Sequence, residues 1–375
     1  MKKIRIVITD TNVDYLQSLA SFIRNEGGNN QFLVTYFSKE ETLSSYLKQG
    51  EMVDILLVSS EISIPRIQRD MFVILLEDDL LKVKNTSMPS VYRYQRLDQL
   101  VSNILGLYYE KNEEAGRLLQ RNNQTKIFSF YSPNGGVGKT TTAVNFSKQL
   151  ALNDAKVFYL NLETFNTTKL FLSDDNENPS LQIFYYAKTA SGQLLSKIEK
   201  LRRHDPHAMV DFFDIEINAQ ELLELSGNEI ERIVNGLLET DAYDYIILDL
   251  DSSIHERNLM AMKESDTIFW ILANDSFGPL KTKSFLEEEE KFFGRENVMK
   301  DKMSLIINKF NGNLLNDFDE LELPIDGYLP FIPNWTHPQS RAELLGNDLF
   351  NQEIQSIIRK VILTNQEGGV LNSGF

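Results

Sequence analysis

The chain of 375 residues contains no cysteine. That absence removes disulfides, zinc–thiolate centres and iron–sulfur clusters held by cysteine. Basic residues are in the minority, with 38 Lys and Arg against 54 Asp and Glu and a net charge of −16. A surface of that sign argues against a protein whose main task is to grip DNA or an anionic membrane, so no direct nucleic-acid contact is expected. No run approaches ~20 apolar residues, which excludes a helix that spans a bilayer, and no membrane insertion is expected. The start, MKKIRIVITD, meets Asp10 before any long apolar run, unlike a signal peptide, so the expected location is cytoplasmic.

What is present fits a globular protein. Hydrophobic residues make up 42% and charged residues 25%, and the length allows two domains with their own cores. The acidity is uneven, about −1 over residues 1–124 and about −15 over the rest. Short apolar runs at IRIVIT (4–9), QFLVTYF, DILLVS (54–59), MFVILLE (71–77) and SVYRY (90–94) read as strands. Helical spacing lies between them at Tyr15–Ile23 and in a stretch that ends at Gly50, and a closing helix at Asp98–Tyr109 follows. This alternation predicts an α/β domain with a parallel sheet over residues 1–110. Residues 111–125 are polar and read as a linker. A second α/β series occupies 126–375, with strands at IFSFYS, VFYLNLE (157–163), YDYIILDLD (243–251), TIFWILA (267–273) and MSLIINKF (303–310). Helices are predicted at Thr140–Leu152, 219–239 and 351–363.

Residues 132–142, SPNGGVGKTTT, lie between a predicted strand and a predicted helix, the context a phosphate-binding loop requires. The pattern G-x-x-x-x-G-K-[ST] ends correctly at Gly138, Lys139 and Thr140, but Pro133 stands where its first glycine belongs. Gly135, Gly136 and Gly138 let backbone N–H groups of the loop, which also contains Val137 and Thr141, close around phosphate oxygens. The positive end of the following helix points at the same place. Lys139 would neutralise phosphate charge and the Thr140 hydroxyl would ligate Mg²⁺. An apolar strand ending in Asp249 supplies a carboxylate that would hold the metal through water.

GGVGKTT with YDYIILD resembles the ParA/MinD superfamily of deviant Walker-A ATPases, so the resemblance implies a P-loop NTPase domain, ATP and Mg²⁺ as cofactors, and an ATP-bound homodimer. Members usually read GKGGVGKTT, whose first lysine reaches the partner's phosphates. Here that position is Asn134 and the residue before it is Pro133. The cradle is intact, so nucleotide binding is expected, with weak or slow hydrolysis because asparagine brings no cation. The family's D-x-D strand end becomes Asn161-Leu162-Glu163, leaving Glu163 to orient water beside Lys139 and Asp249. Asn308 matches the residue that reads adenine, and the chain near Pro330 would close over the base.

The first domain resembles a response-regulator receiver with its chemistry removed. The acid pair is reduced to Asp10-Thr11, the phosphoacceptor position is Ser59, the switch hydroxyl is Glu77 and the lysine is Arg93. A flavodoxin-like pseudo-receiver joined to a ParA/MinD-type ATPase is similar to the TadZ/CpaE family of localisation and assembly factors for Tad/Flp-type pili. The implied partners are pilus or secretion assembly proteins or a polar marker, with recruitment to a cell pole. The alternatives are a ParA-like partition or MinD-like positioning ATPase, or a scaffold that binds nucleotide without hydrolysing it. The tail TNQEGGVLNSGF lacks the basic helical pattern of a MinD membrane helix. The acidic run at 286–296 reads as a solvated helix face, and His204 and His207 as surface residues of a polar connector. Trp270 reads as core and Trp335 as a loop anchor.

Overall fold

The computed structural model describes residues 3–26, 32–49, 51–62, 71–79, 88–111, 125–173, 180–189, 193–216, 218–294, 299–315, 318, 321–338 and 340–370. The helix stop expected at Gly50 and most of the expected linker, 112–124, lie outside them. The chain divides into two units, Met1–Arg121 with Ser191–Lys200, and Asn122–Ala190 with Leu201–Phe375.

In the first unit five described strands, all parallel, are β1 (Ile4–Thr9), β2 (Phe32–Phe37), β3 (Ile55–Ser59), β4 (Phe72–Glu77) and β5 (Ser90–Tyr92). Their order in the sheet is β2-β1-β3-β4-β5, the flavodoxin-like arrangement. Side chains alternate across a strand, so a strand buried on both faces reads as a continuous apolar run. Ile6, Ile8, Ile55 and Leu57 face a core shared with the helices Val13–Glu26 and Leu97–Lys111, which Leu195 also joins. Val7, Leu56 and Val58 face the other way, against Leu43 and Leu47 of the helix Glu40–Lys48.

The second unit holds eight described strands: β6 (Lys126–Tyr131), β7 (Val157–Asn161), β8 (Arg203–Asp205), β9 (Val210–Phe212), β10 (Tyr245–Asp249), β11 (Thr267–Ala273), β12 (Met303–Phe310) and β13 (Ile325–Pro330). The order is β13-β12-β11-β6-β10-β7-β9-β8, parallel throughout except for the antiparallel β8–β9 pair. β6 sits between β10 and β11, and the chain leaves it in one direction for β7 and later returns past it for β11. Its carboxyl end is therefore a topological switch point, where open α/β sheets place their ligands.

The helix Lys139–Ala151 is fixed under that point by aromatic packing. Phe146 meets Phe128 at 5.9 Å, Phe130 at 5.4 Å and Phe269 at 4.8 Å between ring centres, tying the helix to β6 and β11. Its buried polar side chains donate to backbone: Asn145 to the carbonyls of Thr141 and Leu344, and Ser147 to that of Ala143.

Three expectations are corrected. The helix expected over 219–239 is two helices, Ala219–Leu223 and Gly227–Glu239, because Ser226 and Glu229 form a capping box that starts a new one. The stretch around His204 and His207 is a β-hairpin, in which His204 Nδ1 lies 2.7 Å from Asp211 Oδ1. The last helix spans Asp348–Val370, so the tail is helical as far as Val370.

Removing the central ring leaves a cavity among three other aromatics. Phe146→Ala is predicted to destabilise the second unit by about 3–5 kcal/mol, read by denaturant unfolding followed on that unit's signal.

Candidate nucleotide-binding site

β6 ends at Tyr131 and the helix begins at Lys139, so the seven residues between them must turn the chain tightly. Gly136 (φ +70°) and Gly138 (φ +95°) take left-handed conformations that side chains disfavour. A Cβ on Gly135 or Gly136 would meet nothing within 4 Å, so this part of the loop is open to solvent. At Gly138 a Cβ would lie 2.4 Å from Asn308 Nδ2, so only glycine fits there.

Two residues at the end of β12 hold the loop from outside. Asn308 Nδ2 donates to the Val137 carbonyl at 2.7 Å, and Lys309 Nζ to the Gly136 carbonyl at 2.7 Å. Lys309 is itself left-handed (φ +56°), with its N–H donated to Asn308 Oδ1 at 2.8 Å. A trans peptide sets N–H opposite C=O, so fixing those carbonyls outward turns the N–H groups of Val137 and Gly138 into the loop. The first N–H groups of the following helix have no partner within it. Together they form an anion cradle. Asn308, expected at the base, is buried with both ends of its amide engaged on the loop and on Lys309. Pro330 ends β13, beside Phe310 of β12.

Inside the cradle Lys139 is almost fully buried; its Nζ donates to Ser252 Oγ at 3.1 Å and lies 3.8 Å from Glu163 Oε1. The Thr140 hydroxyl donates to Glu163 Oε2 at 3.1 Å. Asp249 is fully buried, level with Phe130 of β6 and Asn161 of β7. Its Oδ2 accepts from the Tyr159 hydroxyl at 2.7 Å and from Asn161 Nδ2 at 3.3 Å, while its Oδ1 has no hydrogen-bond partner. Burial raises the Glu163 pKa, with Lys139 pulling the other way. Burial, then the charge of Glu163, raises that of Asp249.

The structure thus brings Lys139, Thr140, Glu163 and Asp249 together. Asn134 lies in the same loop, buried, with its N–H on Ser132 Oγ and its side-chain oxygen without a partner. Thr141 follows Thr140 in the helix, half-buried. These donors suit Mg²⁺: hard oxygens, one carboxylate oxygen left bare, and a hydroxyl beside it. Among the described residues no group of three or more His, Asp or Glu could hold a metal alone, so an ion here needs oxygens from a phosphate.

Sequence reading passed over Asp251. Its carboxylate accepts from Ser253, Asn258 and Thr164 and pairs with Arg257, whose guanidinium is fully buried and also donates to the carbonyls of Leu162 and Leu222. Burial works against the charge of Asp251, but the hydrogen bonds of Ser253 and the charge of Arg257 outweigh it and hold its pKa well below the usual range. The signal was the D-x-D spacing, which puts Asp249 and Asp251 on one side of an extended chain. This knot bolts the segment after β10 to the one after β7. Next to Pro133 a cleft of about 580 Å³ opens, lined by Ile254, Leu280 and Phe285.

In the first unit Arg93 pairs with Asp10 at 3.1 Å and Asp78 at 3.2 Å, and its guanidinium lies over the rings of Tyr15 and Tyr94. Ser59 and Glu77 are buried at the ends of β3 and β4. A tethered cation therefore occupies the acidic end of this sheet.

A strand, a glycine loop, a buried lysine and a carboxylate at the switch point are the features of a P-loop NTPase fold. Residues 125–297 match the family model described as an AAA domain. The fold is that of ParA- and MinD-type proteins. A ParA family ATPase from Chlorobium tepidum aligns at 19% identity and TM-score 0.50, over 62% of this chain and 97% of its own. The MinD cell division protein of Aquifex aeolicus aligns at 19% identity and TM-score 0.50, over 64% and 97%. No curated protein matches the sequence.

Glu163 and Asp249 bind protons more tightly in the fold than in the unfolded chain. The stability of the nucleotide-free protein should therefore fall as the pH rises from about 4 through neutrality. Asp249→Asn is predicted to raise its melting temperature at neutral pH by about 2–4 °C and to flatten the pH dependence, read by thermal unfolding at about pH 5 and about pH 8. A lowered melting temperature would contradict the assignment.

Proposed function

We propose that this protein is an ATP-binding factor that dimerises with Mg-ATP and serves the localisation and assembly of a Tad/Flp-type pilus secretion system, with slow hydrolysis. The observation that carries the nucleotide reading is the cradle: its N–H groups face inward, and Lys139, Thr140 and Asp249 converge on it. On this reading Lys139 neutralises β- and γ-phosphate charge, and Thr140 and Asp249 hold Mg²⁺, the latter through water. Bound Mg²⁺ supplies charge neutralisation at the phosphates. Glu163, hydrogen-bonded to Thr140, orients the attacking water. The adenine lies toward Asn308 and Pro330.

The slow rate rests on Asn134. Where the resemblance implies a lysine from the partner's loop, this loop offers a buried amide with no charge. Asn161 likewise replaces an acid. Those two amides favour a second reading, in which ATP holds a scaffold together and turnover is incidental. The pilus role rests on the pairing of this unit with a pseudo-receiver, whose acidic end is filled by Arg93 and is suited to docking rather than to phosphorylation. A partition or positioning ATPase shares the same fold and remains the alternative, and recruitment to a cell pole belongs to the pilus reading.

The solution mass from light scattering tests the switch. Wild type is expected to be a monomer without nucleotide and with Mg-ADP, and a dimer with Mg-ATP, while Lys139→Ala stays monomeric throughout. Dimers of both proteins in every condition would overturn it. Asn134→Lys is predicted to raise the hydrolysis rate by about tenfold or more. An unchanged rate in Asn134→Lys, together with no loss in Glu163→Gln, would favour the scaffold.

A further inference from the structure

The two oxygens of Asp249 are not equivalent. Oδ2 takes the Tyr159 hydroxyl at 2.7 Å and the Asn161 amide at 3.3 Å, both from β7, and Oδ1 is buried with no partner. The Asn161 amide cannot turn over. Its Oδ1 accepts the N–H of Glu163 at 2.8 Å, which leaves Nδ2 to donate to the Tyr159 hydroxyl at 3.1 Å and to Asp249. The donors therefore form a closed chain, Asn161 to Tyr159 to Asp249, in a region where all three side chains are buried. Tyr159 and Asn161 lie two residues apart, so they project from the same face of β7 toward the last residue of β10.

From this geometry we infer that Tyr159 and Asn161 are positioning residues for the metal carboxylate. They fasten Oδ2 and present Oδ1 alone. A carboxylate free to rotate could offer both oxygens. One fastened on a single edge offers one, which suits a small octahedral ion that keeps most of its waters. A tyrosine within an apolar strand also has a plain role as a core ring whose hydroxyl finds an acceptor. The two roles differ in what they move. A core ring affects stability only, whereas a group that orients a metal-holding carboxylate changes metal affinity, by about 10–100-fold in comparable shells.

The inference rests on the proposal that the loop takes ATP and Mg²⁺, and the test separates the two. ATP affinity is measured by calorimetry in EDTA and in excess Mg²⁺, and the ratio of the two affinities isolates the metal's contribution. In Tyr159→Phe, which keeps the ring, the ratio is expected to fall about tenfold while affinity in EDTA stays at the wild-type value. Asn161→Ala removes the second donor and should lower the ratio in the same direction; it carries the test if the first variant does not fold, as judged by thermal unfolding in EDTA. A wild-type ratio in a folded variant overturns the positioning role and leaves the nucleotide reading intact. A wild type that binds no ATP, or binds it equally with and without Mg²⁺, overturns the nucleotide or metal reading and the inference with it.

Discussion

The site depends on how two carbonyls are held. Asn308 and Lys309, side by side at the end of β12, draw the Val137 and Gly136 carbonyls outward, and peptide planarity turns the neighbouring N–H groups inward. Gly138 makes this possible, because any side chain there would strike the Asn308 amide. Lys309 contributes from a left-handed conformation, which costs about 1–3 kcal/mol in a non-glycine residue. Strain of that kind, held by neighbours, is what a preorganised anion site requires. Its counterpart is the buried charge beneath it. Asp249 is fully buried and Glu163 half-buried next to a buried lysine, at a cost to stability that a bound ion would relieve.

Around the cradle the fold supplies position rather than chemistry. The Phe128–Phe130–Phe146–Phe269 cluster sets the helix behind the loop, and the buried Arg257–Asp251 pair locks the two segments that carry Glu163 and Ser252. The acids sit at the carboxyl ends of β7 and β10, beside β6 in the order β6-β10-β7, so three successive strands of the sheet deliver Lys139, Glu163 and Asp249.

Much of this was legible in the residues. Strands buried on both faces are continuous apolar runs, and TIFWILA and MSLIINKF coincide with β11 and β12 to the residue. The loop announced itself by its glycines and by Lys139. What escaped detection has physical reasons. β8 and β9 are three residues each, and Arg203–Asp205 has no apolar run; across the hairpin Asp211 takes His204 and the preceding Arg202. β13 contains Gly327 and ends in Pro330, both weak strand formers, and its place is set by packing of the last helix, where Ile357 fills the space a Cβ would take. Asn308 reads only as a base contact, because no sequence pattern shows that its amide also holds the loop. Tyr159 went unremarked, since only the register of β7 beside β10 aligns its hydroxyl with Asp249.

The central claim is that the loop is a working phosphate cradle despite Pro133 and Asn134. Calorimetric titration of the wild type with ATP, ADP and AMP in the presence of Mg²⁺ tests it most directly. The account predicts that ATP and ADP bind and that AMP binds far more weakly, because the cradle and Lys139 grip the β-phosphate. Equal binding of all three, or of none, would contradict it.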